Sequence, residues 1–426
     1  MKTLLNNLII YQSFKEDLIL TGIARAVKEI KKNNGKNLSK YVYPAVHELL
    51  DIATVYGFNK NLWKCYIAYL AATTETPFTL ASERQGALNG SVNNLVMRDL
   101  SYIYDIYNYD FSKLDAALPE AVFKILTDYK AVQKSESIVN LSVSEKVLAL
   151  MENMNGAKNP EELYKVLTDF YRTYGVGELG LNRAFRLDDS GKVTAITHPG
   201  KVTLDEIALY DSQKQRLEEN TVAFLNKKPA NNVLLYGDAG TGKSTMIKGL
   251  LAKYESAGLR MIEIYKHEFK HLSKVVSQIK NRNYRFIIYL DDLSFEEFEI
   301  EYKYLKAIIE GGLELCPENV LIYATSNRRH LIRETWEDRP DAFAADMHQN
   351  DTVTEKLSLS ERFGLKIGFF RPSQQEFFSI TKEIAKREGL NLTDEELFAE
   401  ANKFSMSHSG LSGRTAKQCV KYLLSR

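Results

Sequence analysis

Val233-Leu-Leu-Tyr-Gly237-Asp238-Ala239-Gly240-Thr241-Gly242-Lys243-Ser244-Thr245 decides the reading of this chain. Four apolar residues run into a glycine-rich turn that a Lys-Ser pair closes, and the helix-forming stretch Met246 to Tyr254 follows. The segment satisfies G-x-x-x-x-G-K-[ST] with a strand before it and a helix after it. Phosphate oxygens need several backbone N–H groups converging on them, and a side chain at Gly237, Gly240 or Gly242 would obstruct that approach. The helix opening at Gly242 adds its positive end to the anion site. Lys243 can reach the β- and γ-phosphates as a point charge, and the Ser244 hydroxyl can hold Mg²⁺. The loop from Gly237 to Thr245 is therefore expected to bind a nucleotide.

Outward from that stretch, 426 residues suggest two or three domains. Apolar content of 44% and charged content of 26% are those of a folded, soluble chain. A net charge of +1 gives no global attraction to nucleic acid or membrane, so any such contact must be local. Cys65, Cys316 and Cys419 lie far apart in apolar surroundings and read as reduced core residues of a cytosolic protein. The histidines show no paired ligand spacing. Asn6 and Asn7 break the apolar start and no small-residue cleavage site follows, so the chain reads as cytoplasmic, without a membrane span.

Residues 1–182 read as successive helices. Apolar residues at helical spacing place them at Ser13–Ile30, Leu38–Tyr56, Leu62–Leu70, Asn93–Tyr107, Pro119–Val132, Ser142–Met154 and Pro160–Tyr174. Pro77, Gly86 and Gly90 mark Thr74–Gly90 as a loop. Tyr102, Tyr104, Tyr107 and Tyr109 could stack on bases or a partner, but core or interface packing is the favoured reading. Alternation over Ala184–Leu187 and Lys192–Ile196 about Asp188-Asp-Ser-Gly191 predicts a hairpin. Capping-box spacings at Thr203 and Ser212 then open helical turns leading to the phosphate loop.

Beyond the loop, strand and helix alternate, which implies a parallel sheet covered on both faces. The helix over Glu268–Lys280 shows Lys266, Lys270 and Lys274 on its polar side, read as a solvated face ahead of a nucleic-acid contact. Phe286-Ile-Ile-Tyr-Leu290-Asp291-Asp292 is a buried strand ending in two acids. At the carboxyl end of such a strand, Asp291 would hold Mg²⁺ and Asp292 would orient the attacking water. Val320-Leu-Ile-Tyr-Ala324-Thr325-Ser326-Asn327 is a second buried strand, and Asn327 could bond both the γ-phosphate and the water. The segment after Arg371-Pro372 reads as a small helical lid, with caps at Ser373 and Thr393. An adenosine pocket at that junction would be lined by Ile207 and Ala208. Guanine is disfavoured because Asn226-Lys-Lys-Pro229 fails the last position of Asn-Lys-x-Asp.

This ordered set resembles the AAA+ ATPases over roughly residues 200–426. Gly237–Ser244 looks like Walker A, Phe286–Asp292 like Walker B, and Asn327 like the sensor-1 residue. Ser358-Leu-Ser-Glu-Arg362-Phe-Gly364 is similar to the arginine-finger segment, which implies Arg362 acting on a neighbouring subunit's γ-phosphate. Gly410-Leu-Ser-Gly-Arg414 resembles the sensor-2 motif. Asp292-Leu-Ser-Phe-Glu296 and Ala324–His330 look like the DUF815 branch. The family's usual Asp-Glu is Asp291-Asp292 here, one methylene shorter, and Glu296 is a possible stand-in.

The resemblance implies an α/β P-loop NTPase with an N-terminal all-α domain (1–182), an AAA+ core (183–369) and a helical lid (370–426). It further implies a Mg²⁺-dependent ATPase acting as a homo-oligomer, a ring with Arg362 in trans, on a protein or nucleic-acid client. A slow or non-hydrolysing ATP-dependent switch is the alternative that the short Asp292 keeps open, and a P-loop kinase fits less well. No aromatic pore loop stands between Ile264 and Phe286, which disfavours threading of a polypeptide.

Overall fold

The computed structural model describes residues 1–32, 38–87, 89–131, 140–200, 202–295, 299–310, 316–328, 331, 359–408 and 410–426. They divide into two compact units, Met1–Asn182 with Ala195–His198, and Arg183–Thr194 with Pro199–Arg426.

The first unit is helical, and its core is rich in aromatic residues. Trp63 is buried and donates its indole N–H to the Ile106 carbonyl at 2.9 Å. The tyrosine cluster packs: Tyr107 is buried with its hydroxyl on the Met151 carbonyl at 2.8 Å, and Tyr102, Tyr104 and Tyr109 lie against the same core. Three expectations need correction. Asp17, in extended backbone, accepts from Leu20 N–H, so the helix expected from Ser13 is Leu18–Lys31, preceded by a 3₁₀ turn at Gln12–Lys15. The loop expected at Thr74–Gly90 contains the helix Pro77–Gln85, because Thr76 forms a capping box and Pro77 fills the first turn. Of the helix expected at Pro119–Val132, the described residues up to 131 form only Val122–Thr127.

One buried carboxylate organises the start of this unit. Asp99 is fully buried and accepts the backbone N–H groups of Ile9, Ile10 and Tyr11 at 2.7–3.1 Å. Asp99→Ala removes the buried acceptor shared by three backbone donors, of which the Tyr11 N–H is itself buried, and is expected to cost about 2–3 kcal/mol. Urea unfolding monitored by tryptophan fluorescence measures this directly, since Trp63 belongs to the same core.

In the second unit, seven strands among the described residues form one sheet: β1 (Ala184–Leu187), β2 (Val193–Ala195), β3 (Val233–Gly237), β4 (Leu259–Glu263), β5 (Arg285–Leu290), β6 (Val320–Ser326) and β7 (Leu365–Phe369). Their order is β2-β1-β4-β5-β6-β3-β7, and β1, β4, β5, β6, β3 and β7 pair in parallel. The predicted hairpin therefore extends the sheet at its edge through β1 and β4. All seven residues of β6 are buried, as a central parallel strand covered on both faces requires.

Among the described residues the α-helices of this unit are α1 (Asp211–Leu225), α2 (Lys243–Tyr254), α3 (Leu272–Ile279), α4 (Glu301–Glu310), α5 (Gln374–Glu388), α6 (Asp394–Ser407) and α7 (Gly413–Leu424). The helix expected over Glu268–Lys280 is a 3₁₀ turn at Lys266–His271 followed by α3, with Leu272, Val275, Val276 and Ile279 buried. Two of the three lysines are engaged within the chain: Lys266 bonds the Ser294 carbonyl at 2.9 Å and Lys274 the Ser190 carbonyl at 2.7 Å, while Lys270 is exposed. Helices α5, α6 and α7 form a lid with its own core of Phe377, Ile380, Leu397, Ala401, Cys419 and Val420. Ser373 and Thr393 cap α5 and α6 as their sequences predict.

Candidate functional site

Register explains why the site forms where it does. Tyr236 of β3 pairs with Ser326 of β6, and Leu290 of β5 pairs with Ala324. One step beyond each pairing, Gly237 comes level with Asn327 and Asp291 with Thr325. The carboxyl ends of three strands thus deliver the phosphate loop, the polar end of β6 and the two acids to one edge, with β6 between the others.

The loop itself depends on backbone that only glycine takes easily. Gly237, Gly240 and Gly242 have φ of +127°, +79° and +97°. A Cβ on Gly237 would lie 2.0 Å from the Phe369 carbonyl oxygen of β7. Gly242 caps α2, so the first backbone N–H groups of that helix, from Lys243 onward, face the cavity.

Lys243 is buried, and its ammonium donates to the carbonyls of Gly237 and Asp238, each at 2.7 Å, and to Asn327 Oδ1 at 3.1 Å. Burial draws its pKa below the ordinary lysine value, and Asp238, Asp292 and Asp291 oppose that shift. A bound polyphosphate would favour the charged form in the same way.

Ser244 Oγ donates to Asp291 Oδ1 at 2.7 Å, and Thr325 Oγ1 donates to the same oxygen at 2.7 Å. Asp291 is open to the cavity, yet the protein around it disfavours its charge. The hydroxyls of Tyr289, Ser244 and Thr325 and the Lys248 ammonium outweigh that effect and hold the carboxyl below its usual pKa. A hydroxyl and an ionised carboxylate in contact are hard oxygen donors, and they fit a Mg²⁺ ion shared with phosphate and water. Asn327 Nδ2 donates to Asp292 Oδ1 at 2.8 Å, so one amide bridges Lys243 and Asp292.

These groups line a cavity of about 470 Å³, within the range of small-molecule sites. Ala239, Gly240, Thr241, Gly242, Lys243, Ser244 and Thr245 border it together with Asp291, Asp292 and Asn327. Its apolar wall comes from Ile207 and Ala208 and from Ile380 and Ile384 of α5. Arg414 also lines it and ties α7 to the loop by its N–H on the Gly240 carbonyl at 3.2 Å.

Not every expected residue reaches the cavity. Arg362 pairs with Glu310 of α4 and does not line the cavity; its Nε is buried without a hydrogen-bond partner among the described residues. The Asp238 side chain turns toward the segment after β7, where Asp238 Oδ2 accepts from Arg371 N–H at 2.9 Å. Glu296, Ser358, Arg329 and His330 lie outside the described residues.

Sequence reasoning missed Thr325, whose hydroxyl touches both acids; its signal was its place two residues before Asn327 at a buried strand end. It also missed Tyr210, a cavity-lining residue at φ +73° whose hydroxyl donates to the Phe370 carbonyl at 2.6 Å.

Sheet, phosphate-loop sequence and helical lid together make up an α/β P-loop fold of the AAA+ type. The chain belongs to the family described as protein of unknown function DUF815, whose model matches residues 181–426. Solved structures of RuvB from Thermotoga maritima also match. Two single-residue variants do so at 15% and 16% identity, covering 53% and 51% of this chain, each with a TM-score of 0.37. The RuvB Holliday junction branch migration motor does so at 16% identity over 51%, with a TM-score of 0.36. The matches cover 65%, 63% and 63% of those chains, less than two thirds of their length. No curated protein matches this chain.

Proposed function

We propose that this protein binds and hydrolyses ATP with Mg²⁺ and couples the nucleotide state to its helical lid and, through it, to a macromolecular client. The observation that carries this reading is the convergence of Lys243, the Ser244–Asp291 pair and the Asn327–Asp292 pair on one cavity between sheet and lid.

The loop amides and Lys243 would grip the β- and γ-phosphates, and Ile207, Ala208, Ile380 and Ile384 would hold the adenine. Ser244 and Asp291 would hold Mg²⁺, which neutralises charge on the phosphate oxygens. Asp292, oriented by Asn327, would position the attacking water and take its proton. Arg414 would bring the lid's cation to the same phosphates. The work of such a site is positioning and charge neutralisation.

Within a single copy, Arg362 is held by Glu310. Its role would be exercised in a homo-oligomeric ring, on the nucleotide of a neighbouring copy, after exchange of that partner. The same pairing favours a second reading, a nucleotide-loaded switch that turns over slowly until assembled. The client would be a protein or a nucleic acid. Among the described residues, no helix is long and apolar enough to cross a membrane; a cytoplasmic location is the one proposed.

Phosphate release by the purified full chain separates these readings. Asp292→Asn is expected to lower kcat by about 100-fold or more while Mg²⁺-dependent binding of an ATP analogue persists. Equal, near-zero release by wild type and variant at every protein concentration would leave only the switch.

A further inference from the structure

Asp292 is the residue at which this chain departs from the Asp-Glu pair, and its backbone departs as well. It sits at φ +49°, the left-handed region, which is strained for a residue with a Cβ but which Asp and Asn tolerate far better than longer acids. Such a conformation persists where the surroundings over-determine it.

Here the surroundings are one residue of the neighbouring strand. Thr325 is 2% exposed. Its Oγ1 accepts the Asp292 N–H at 2.9 Å, and its carbonyl accepts the Leu293 N–H at 2.7 Å. Its hydroxyl proton goes to Asp291 Oδ1 at 2.7 Å. A hydroxyl carries a single proton, so donation to Asp291 and acceptance from Asp292 fix its rotor. The turn 291–293 is thereby bonded at three successive residues to one threonine.

The geometry points to Thr325 as a positioning residue that locks the Asp291–Asp292 turn and holds the short acid Asp292 in left-handed backbone at the cavity. The inference rests on the ATPase reading for the role of Asp292, whereas the hold on Asp291 is independent of hydrolysis. Thr325 itself does not touch the reacting atoms; it acts through the two carboxylates. Asn327 then meets Asp292 Oδ1 from the other side, which fixes where that carboxylate points.

The experiment uses the full chain with Thr325→Val, Thr325→Ser and Asp292→Glu. It measures steady-state ATP hydrolysis and the Mg²⁺ concentration that half-saturates binding of a fluorescent ATP analogue. Thr325→Val keeps the shape but removes the hydroxyl. It is expected to lower kcat about 10- to 100-fold and to raise the Mg²⁺ requirement several-fold, with KM for ATP changed less than about threefold. Thr325→Ser restores the hydroxyl and should return both quantities to within about threefold of wild type. Asp292→Glu, although it recreates the usual pair, should fall about tenfold below wild type, because the longer acid is disfavoured at this φ.

Wild-type values in Thr325→Val, a Ser variant as impaired as Val, or a Glu variant as active as wild type would each overturn the inference. The two readings fail separately. If wild type releases no phosphate while Thr325→Val still shifts the Mg²⁺ requirement and Ser restores it, the ATPase reading falls and the hold on Asp291 stands. If wild type turns over and neither variant at position 325 changes either quantity, the reverse holds.

Discussion

Lys243→Ala is expected to weaken binding of a non-hydrolysable ATP analogue about 10- to 100-fold and to cut turnover by about a hundred- to a thousandfold. The ammonium is buried at the floor of the cavity, where it has three oxygen partners and three nearby carboxylates. No other group lining the cavity combines that position with a positive charge beneath the loop. Its removal leaves the Gly237 and Asp238 carbonyls facing a polar cavity that water can fill, so the fold should survive, which circular dichroism checks. Calorimetric titration in Mg²⁺ buffer gives the affinity. An unchanged dissociation constant would remove the phosphate loop from the account.

Gly237→Ala is expected to act earlier, on the fold of the nucleotide unit. At φ +127° an added Cβ meets the Phe369 carbonyl oxygen at 2.0 Å, a backbone atom that cannot step aside like a flexible side chain. The strand pair would have to part where Asp238 N–H now bonds that same oxygen at 2.8 Å. A loss of at least about 3 kcal/mol follows, which for a unit of this size lowers its melting temperature by roughly 6–12 °C. Hydrogen exchange should show the amides of β3 and β7 opening first. Protection equal to wild type at Leu235 and Ile367 would contradict the clash.

The parts legible in the sequence were those whose chemistry is contiguous. Gly237 to Ser244 carries its spacing within one loop, Asp291 ends an unbroken apolar run, and Asn327 closes the short polar end of another, so strand, burial and polar end could be read together. Ile207 and Ala208 were legible from their place just ahead of the core. What stayed hidden depends on register between distant segments. Thr325 looked like turn chemistry beside Asn327 until β5 and β6 aligned it with Asp291. Ser212 had a capping-box spacing, but α1 begins at Asp211 because Tyr210 takes a left-handed turn and places its ring on Phe369, 159 residues away by number (369 − 210). Arg362 carried a finger-like context, and only packing shows Glu310 holding it. The helix at Pro77 is a different case: Thr76-Pro77 is a valid start, and Gly86 and Gly90, which signal a loop, lie beyond its last residue, Gln85.

The fastening of the phosphate loop has a mechanical consequence. Asp238 is bonded through its amide to Phe369 and through its carboxylate to Arg371, on the way to α5, while Gly240 is bonded to Arg414 at the start of α7. A loop anchored to both ends of the same three-helix body has no slack. On the proposed reading, a rearrangement that an entering anion imposed on residues 238–240 would pull on that body through these bonds, with the Arg371-Pro372 joint as its pivot. The short loop would then act as the drive shaft of the lid as well as a seat for phosphate.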